Sequence, residues 1–231
     1  MENVVRNCVL CLLALFLCGQ IYGTTITVAQ RSCQYVFTIP EGWDTIPQST
    51  LSSKIGKTSV NAGLFPIQQK AYFDGNYVLI SFLPTISSLN NFNLKKIIAD
   101  VNEMNKSQVF TLSDSLSIEL LDTKCISGNG IFNIQTESMV SKDTLCINCL
   151  QSLCVTKYGY ISIYSYRKEN GQYCLQDVND AIVGSLKVLE EYQYKEPVQK
   201  EYFTIEQIVI SVGLGLLLYI FLVFINKNKN K

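Results

Sequence analysis

Cysteine is the residue type of this chain with the widest choice of chemistry. The chain has 231 residues, with nine cysteines and no histidine. Three of the cysteines lie in an N-terminal apolar segment, and six lie in the polar middle of the chain: Cys33, Cys125, Cys146, Cys149, Cys154 and Cys174. An even number of cysteines in an exported domain favours disulfides, whereas buried free cysteines pack as small apolar residues. The sequence therefore predicts structural bridges or buried thiols at these six positions.

Two of these cysteines form a spacing that is known from redox enzymes. Cys146-Ile-Asn-Cys149 has the C-x-x-C pattern of thiol oxidoreductases, whose first thiol needs a helix N-terminus to lower its pKa. Here the motif lies in a run predicted as a strand, which turns the two side chains to opposite faces. A cysteine-only zinc site would add Cys154 and Cys174, but no second C-x-x-C is present. Redox chemistry at Cys146 and Cys149 is thus an alternative hypothesis.

The composition excludes several functional classes. Without histidine the chain has no Ser-His-Asp or Cys-His catalytic group and no histidine-ligated metal site. Its basic and acidic residues are equal in number, so the formal net charge is zero, whereas nucleic-acid binding requires a positive surface. We therefore expect no enzymatic activity, no cofactor and no nucleic-acid partner.

Two apolar segments at the ends of the chain predict its topology. Residues 208–225 carry no charge, and at about 1.5 Å rise per residue they reach nearly across the roughly 30 Å hydrocarbon layer of a membrane. Lysines follow in a short tail, as is typical of the cytoplasmic side. At the other end, Arg6 precedes a short apolar run and Gly23 ends a small-residue cleavage site, which is typical of a secretory signal peptide.

These features divide the chain into five parts. They are a signal peptide at 1–23, an extracytoplasmic α+β domain at 24–192, a stalk at 193–204, a transmembrane helix at 205–225 and a cytoplasmic basic tail at 226–231. The sequence thus predicts a single-pass cell-membrane protein whose N-terminal domain lies outside the cytoplasm, on the periplasmic or extracellular side.

The domain alternates between strand-like and helix-like patterns. Apolar spacing predicts helices at 50–55, 94–104 and 174–191, and period-two alternation predicts strands at 35–39, 65–73, 77–83, 116–126, 131–140, 145–156 and 160–167. The last four strands are joined by very short connections, which force antiparallel neighbours. The predicted fold class is α+β, with an antiparallel β-sheet flanked by helices.

The aromatic residues suggest both a core and a surface. Trp43, the only tryptophan, is expected to pack in the core after the turn at Gly42. Tyr160, Tyr164 and Tyr166 share one parity on a predicted strand and therefore one face of the sheet. Such a stripe usually packs under a helix. If the face is exposed, these tyrosines are the best candidates for a binding surface.

The order of these elements resembles a known group of domains. The chain has the corner Phe37-x-Ile39-Pro40-x-Gly42-Trp43, followed by strands, a mid-chain helix, a meander and a closing helix containing Gly-Ser-Leu. With this corner and this order of elements, it is similar to the PsbP-like and DcrB-like extracytoplasmic domains. The resemblance covers about residues 33–192. It implies an α/β/α sandwich around an antiparallel sheet and a non-catalytic role in binding or assembly. It carries no site residues to this chain.

The leading functional hypothesis is a membrane-tethered, non-enzymatic extracytoplasmic domain for protein interaction or envelope assembly. Its partners would be the membrane, through one integral span, and a protein. A thiol–disulfide redox protein is the first alternative. A small-ligand-binding module is the second, and it would require a deep apolar pocket between the sheet and a helix.

Overall fold

The computed structural model describes residues 23–55, 60–110, 117–128, 130–142 and 145–197. The predicted signal peptide up to residue 22, the transmembrane helix at 205–225 and the basic tail lie outside these residues. No helix in the described ranges combines the length and the apolar character that a membrane span requires. The described residues up to Glu196 belong to one compact unit.

The described chain contains short strands near both of its ends and long strands in between. The three α-helices are α1 (Gln48–Ile55), α2 (Leu94–Phe110) and α3 (Leu175–Ser185), and 3-10 turns lie at Leu89–Asn91 and Glu190–Tyr192. The strands are β1 (Thr25–Gln30), β2 (Cys33–Thr38), β3 (Trp43–Thr45), β4 (Val60–Pro66), β5 (Asn76–Pro84), β6 (Ser117–Gly128), β7 (Ile131–Lys142), β8 (Leu145–Thr156), β9 (Gly159–Lys168) and β10 (Lys187–Val188).

The described strands form two antiparallel sheets. The larger sheet has the order β3-β4-β5-β9-β8-β7-β6, and the smaller has the order β1-β2-β10. The predicted α+β class with an antiparallel sheet is confirmed, and the four-strand meander from β6 to β9 follows the predicted order. The sequence predicted one sheet, and the second sheet corrects that expectation.

Helices cover both faces of the larger sheet. On one face, the α3 face, Val178 and Ile182 pack on Ile161 and Ile163 of β9, together with residues of the smaller sheet. On the opposite face, the α2 face, Ile97 and Val101 of α2 pack on residues of β7 and β8. Helix α1 lies on the α2 face as well. Its Leu51 lies against Gly63 of β4, and Gly63 pairs with Leu79 of β5, whose side chain is on that face. The predicted arrangement of a sheet between helices is therefore present.

Several local predictions hold and have clear physical causes. Asn93 accepts a hydrogen bond from the backbone N–H of Lys96 at 2.9 Å, which caps α2 as expected. Pro84 ends β5 because proline has no N–H to donate to a strand neighbour. Trp43 is 6% exposed, and its ring meets Tyr173 edge-on at 5.4 Å, so it is a core residue.

Three local predictions are wrong. The strand predicted at 65–73 lies earlier, because β4 ends at Pro66 and the residues after it form the turn into β5. The helix predicted at 174–191 ends at Ser185, since Lys187 and Val188 pair with β2 instead. Met104, predicted on the buried stripe of α2, is an exposed side chain. Strand β1, which pairs with β2 along its whole length, is an addition to the predicted elements.

Candidate functional site

The structure separates the six candidate cysteines into a buried set and an exposed set. All six are free thiols, so the structure contains no disulfide among them. Cys33, Cys149 and Cys154 are buried, and Cys125, Cys146 and Cys174 are exposed. Cys33 and Cys154 belong to the core between the α3 face and the smaller sheet. Three of the six cysteines are thus buried free thiols, which is one of the two states that the sequence predicts.

The two cysteines of the C-x-x-C motif point to opposite faces of the sheet. On β8, Cys149 lies opposite Ser138 and Tyr166 on the α2 face, whereas Cys146 lies opposite Ser141. Positions three apart in a strand have opposite parity and Cα atoms about 10 Å from each other. A disulfide requires Cα atoms within about 7 Å. The motif therefore cannot cycle between dithiol and disulfide while β8 keeps its strand geometry.

Burial keeps the core thiols protonated. It raises the pKa of Cys33 to about 11 and the pKa of Cys149 to about 12, despite hydrogen bonds from Thr156 and Ser138 that lower both. Burial also raises the pKa of Cys154 to about 12. A nucleophilic or metal-binding cysteine needs the thiolate. Within the described ranges, no group of three or more histidine, cysteine or acidic side chains is placed to hold a metal ion.

Thiol labelling tests this division of the cysteines. In the folded domain at pH 8, we expect iodoacetamide to modify Cys125, Cys146 and Cys174 at least tenfold faster than Cys33, Cys149 and Cys154. The reason is that the second set is buried and, with pKa values of about 11 and 12, almost wholly protonated at pH 8. Peptide mass spectrometry gives the rate at each site, and labelling in urea is the control that should equalise the rates. Fast modification of Cys149, or fewer than six thiols in urea, would contradict the structure.

Aromatic rings from two distant parts of the chain meet on the α2 face. Tyr164 and Tyr166 stack on each other with centroids 6.1 Å apart, and Tyr77 of β5 stacks on Tyr166 at 4.8 Å. Phe73, in the turn before β5, meets Tyr77 edge-on at 5.2 Å. All four side chains are half-buried. We call these four residues, Phe73, Tyr77, Tyr164 and Tyr166, the aromatic cluster.

Tyr160 does not belong to this cluster, although it shares a strand face with Tyr164 and Tyr166. Its ring packs against the apolar cluster between α2 and the sheet. The predicted tyrosine stripe thus divides along β9. All three side chains are half-buried, but Tyr160 lies against the cluster under α2, whereas Tyr164 and Tyr166 stack with each other and with Tyr77.

The strand order explains why the cluster is left partly open. Helix α1 lies against β4, and α2 contacts β6 near the other edge of the sheet. The three tyrosines of the cluster lie on β5 and β9, which are between those strands. The half-buried Leu79 of β5 lies directly opposite Tyr164 and extends the apolar surface. The result is a mainly apolar surface between two helices.

The phenols of the cluster stay neutral. Burial raises the pKa of Tyr77 to about 12, and it raises the pKa of Tyr164 and Tyr166 as well. Gln151 of β8 donates a hydrogen bond from Nε2 to the Tyr164 hydroxyl at 2.7 Å, which fixes that ring. Stacked, neutral and partly fixed tyrosines can bury an apolar side chain of a partner at a low cost in conformational entropy.

A second feature that the sequence did not reveal is a buried polar network under α3. Asn179 of α3 is fully buried; it donates from Nδ2 to Ser165 Oγ at 3.2 Å and accepts from Ser152 Oγ. Gln135 Nε2 of β7 reaches Asn179 Oδ1 at 3.4 Å. The only sequence signal is one asparagine on the apolar stripe of a helix. The network positions α3 on the sheet.

The small-ligand hypothesis requires a deep apolar pocket, and several clefts lie among the described residues. One has a volume of about 530 Å³ and lies beside the corner at Pro40–Trp43, with the exposed Glu41 and Asp44 at its rim. Another, of about 480 Å³, is lined by residues that include Ile131 and Val188. Neither lining singles out a ligand.

Comparison with known proteins shows structural similarity without sequence similarity. No family model matches the chain, and neither does any curated protein. The solved structures to which it is similar include the cyanobacterial PsbP (CyanoP) of Synechocystis sp. PCC 6803, at 16% identity and a TM-score of 0.45, over 74% of this chain and 96% of that one.

Two further solved structures show a similar degree of likeness. One is LpqN of Mycobacterium tuberculosis, described as involved in cell envelope biogenesis, with 14% identity and a TM-score of 0.48 over 71% of this chain and 90% of LpqN. The other is a protein of Bacteroides thetaiotaomicron VPI-5482, with 8% identity and a TM-score of 0.48 over 74% of this chain and 50% of that one. The solved structures to which this chain is similar, at low sequence identity, thus include a PsbP protein, the group that its sequence resembles.

Proposed function

We propose that this protein is a membrane-tethered, non-enzymatic domain that binds a protein partner outside the cytoplasm through the aromatic cluster. The single observation that carries the proposal is the stack of half-buried rings of Phe73, Tyr77, Tyr164 and Tyr166 on the sheet between α1 and α2. Aromatic side chains dominate the energetics of protein contacts, and their apolar surface is costly to leave in water.

The chemistry of the remaining candidates supports a binding role over catalysis. The core thiols are protonated, the C-x-x-C cysteines lie on opposite faces, and the chain has no histidine. The redox alternative therefore lacks both an accessible thiolate at Cys149 and a partner thiol within bonding distance. Tethering is supported by the uncharged segment at 208–225 and the lysines after it, which also support a location outside the cytoplasm for the domain.

Replacing Tyr166 with alanine tests the binding surface. Tyr166 stacks with both Tyr77 and Tyr164, so its loss removes the centre of the cluster. We expect at least a tenfold weaker capture of the specific partner, since central aromatic residues typically contribute more than about 1.4 kcal/mol to an interface. The measurement is quantitative capture from detergent-solubilised source membranes with the full-length protein as bait, followed by titration of the captured partner.

The matched control for this experiment is Tyr158→Ala. Tyr158 is another half-exposed tyrosine, in the turn between β8 and β9 and outside the aromatic cluster. This variant should capture the partner as well as the native chain does. Equal binding by the Tyr166→Ala variant, or equal losses in both variants, would contradict the proposed surface. Circular dichroism of both variants checks that the fold is retained.

A further inference from the structure

A short loop at one end of the larger sheet presents a fully exposed isoleucine, Ile86. The loop is held in place by hydrogen bonds on both sides of that residue. The Thr85 N–H donates to the carbonyl oxygen of Tyr158 at 2.9 Å, and the Leu89 N–H donates to that of Lys157 at 2.8 Å. The Thr85 hydroxyl donates to the Ser87 carbonyl at 2.8 Å. Ile86 is therefore held in solvent by an ordered backbone, although an apolar side chain of this size favours burial.

The C-terminal segment of the described chain lies at the same end of the sheet. The Tyr194 hydroxyl donates to the carbonyl of Phe92 at 2.9 Å, and the Lys195 N–H donates to Asn90 Oδ1 at 3.0 Å. Ile86 is four residues from Asn90, which is about 14 Å at full extension. The Leu94 N–H donates to Glu196 Oε1 at 3.1 Å, so the chain is held here up to Glu196.

The length of chain after this point limits how far the domain can lie from a membrane. Eight residues, 197–204, separate Glu196 from the predicted transmembrane helix at 205–225. Eight residues span at most about 28 Å when fully extended. Because Glu196 is held beside Leu94, the predicted tether begins at the same end of the sheet as Ile86.

Charge does not decide what this end of the domain contacts. Lysines and acidic residues are mixed there, and two of the lysines are paired: Lys96 with Asp100 at 3.2 Å and Lys195 with Glu190 at 3.6 Å. Tyr158 lies beside the Ile86 loop, with Lys157 Nζ 4.9 Å from the centre of its ring. Tyrosine, and a lysine whose stem extends past an aromatic ring, are typical of the boundary between water and lipid.

We propose that the Ile86 loop, Pro84–Ser88, rests on the outer surface of the bilayer to which the chain is tethered. The Ile86 side chain enters the interfacial layer, and Tyr158 lies at the level of the lipid headgroups. This inference depends on the proposed membrane tether, and it adds a second contact that fixes which end of the domain faces the lipid. The aromatic cluster lies toward the opposite end of the strands, since Tyr77 is next to the start of β5 and Pro84 ends it.

Tryptophan fluorescence in vesicles tests the lipid contact. The full-length Ile86→Trp variant is reconstituted into phosphatidylcholine vesicles, either with ordinary acyl chains or with chains brominated near the headgroup. The one native tryptophan, Trp43, is buried and gives a constant background. We expect bromine to quench the emission of the introduced indole at least twofold. Because Ile86 is fully exposed, the substitution leaves the core unchanged.

The matched control is the Ile67→Trp variant. Ile67 is another exposed isoleucine, and it follows Pro66, which pairs with Trp43 near the other end of the sheet. That end is about 27 Å from Pro84 along β5. We expect the brominated lipid to leave the emission of this variant unchanged.

The outcomes separate this inference from the proposed tether. Flotation of the vesicles after an alkaline wash shows whether the chain is held in the bilayer. A chain that is washed off overturns the tether and the loop contact together. A chain that floats but shows no quenching in the Ile86→Trp variant, or equal quenching in both variants, overturns the loop contact alone.

Discussion

Replacing Trp43 with alanine lowers the free energy of unfolding of the domain by an expected amount of about 3–5 kcal/mol. The Trp43 ring is 6% exposed and packs in the core shared by the α3 face and the smaller sheet. Truncation leaves a cavity beneath Tyr173, because the centres of the Trp43 and Tyr173 rings are 5.4 Å apart in the native domain. Since domains of this size are stable by about 5–15 kcal/mol, the loss is a large share of the total. Urea unfolding of the fragment 24–196, followed by far-UV circular dichroism, measures it.

Trp43→Phe is the control for this prediction. Phenylalanine keeps an aromatic ring against Tyr173 and leaves a smaller cavity, so the expected loss is less than half of that for alanine. The corner itself is retained in both variants, because the Trp43 N–H donates to the Pro40 carbonyl at 3.1 Å and Gly42 has φ of 76°. A loss below about 1 kcal/mol for alanine would mean that this side chain does not hold the corner to the core.

Local pattern was sufficient to predict the meander and the middle helix. From β6 to β9 the side chains alternate between two faces, and the turns between the strands are too short for any arrangement other than antiparallel pairs. Helix α2 has its apolar residues at helical spacing and an asparagine at its N-terminus. In these elements the local preference and the packing agree, so their order and position were predictable.

The elements that the sequence did not predict are set by contacts with distant residues. Leu186 and Leu189 continue the apolar spacing of α3 in the sequence. The residues between them, Lys187 and Val188, pair instead with β2, some 150 residues earlier. That pairing ends the helix and builds the third strand of the smaller sheet. Local propensity favours one conformation here, and tertiary pairing selects the other.

The candidate site was predicted only in part for the same reason. Parity along one strand placed Tyr164 and Tyr166 on one face, and the structure agrees. Tyr77 joins them because β5 pairs with β9, a contact between positions almost 90 residues apart that no local pattern encodes. The exclusion of Tyr160 likewise depends on where α2 crosses the sheet. The pattern of β9 alone therefore indicated two residues of the aromatic cluster, and the pairing of β5 with β9 adds Tyr77 to them.

The buried polar network under α3 provides the other large predicted effect. Asn179 is fully buried and bonds to serines of both β8 and β9, so it fixes the position of α3 over the two central strands. In an apolar core such groups are stable only while they are paired. Removing the asparagine side chain would leave the Ser152 and Ser165 hydroxyls without their partner on the helix.

We expect Asn179→Ala to cost about 2–4 kcal/mol of unfolding free energy, because each buried group left unpaired costs about 1–3 kcal/mol. Urea unfolding of the fragment 24–196 provides the measurement. Asp177→Ala is the matched control, since Asp177 is an exposed residue of the same helix outside the network; its expected cost is below about 1 kcal/mol. A double-mutant cycle of Asn179→Ala with Ser165→Ala should give a coupling of about 1 kcal/mol, and additive losses would show that this hydrogen bond does not hold α3 on the sheet.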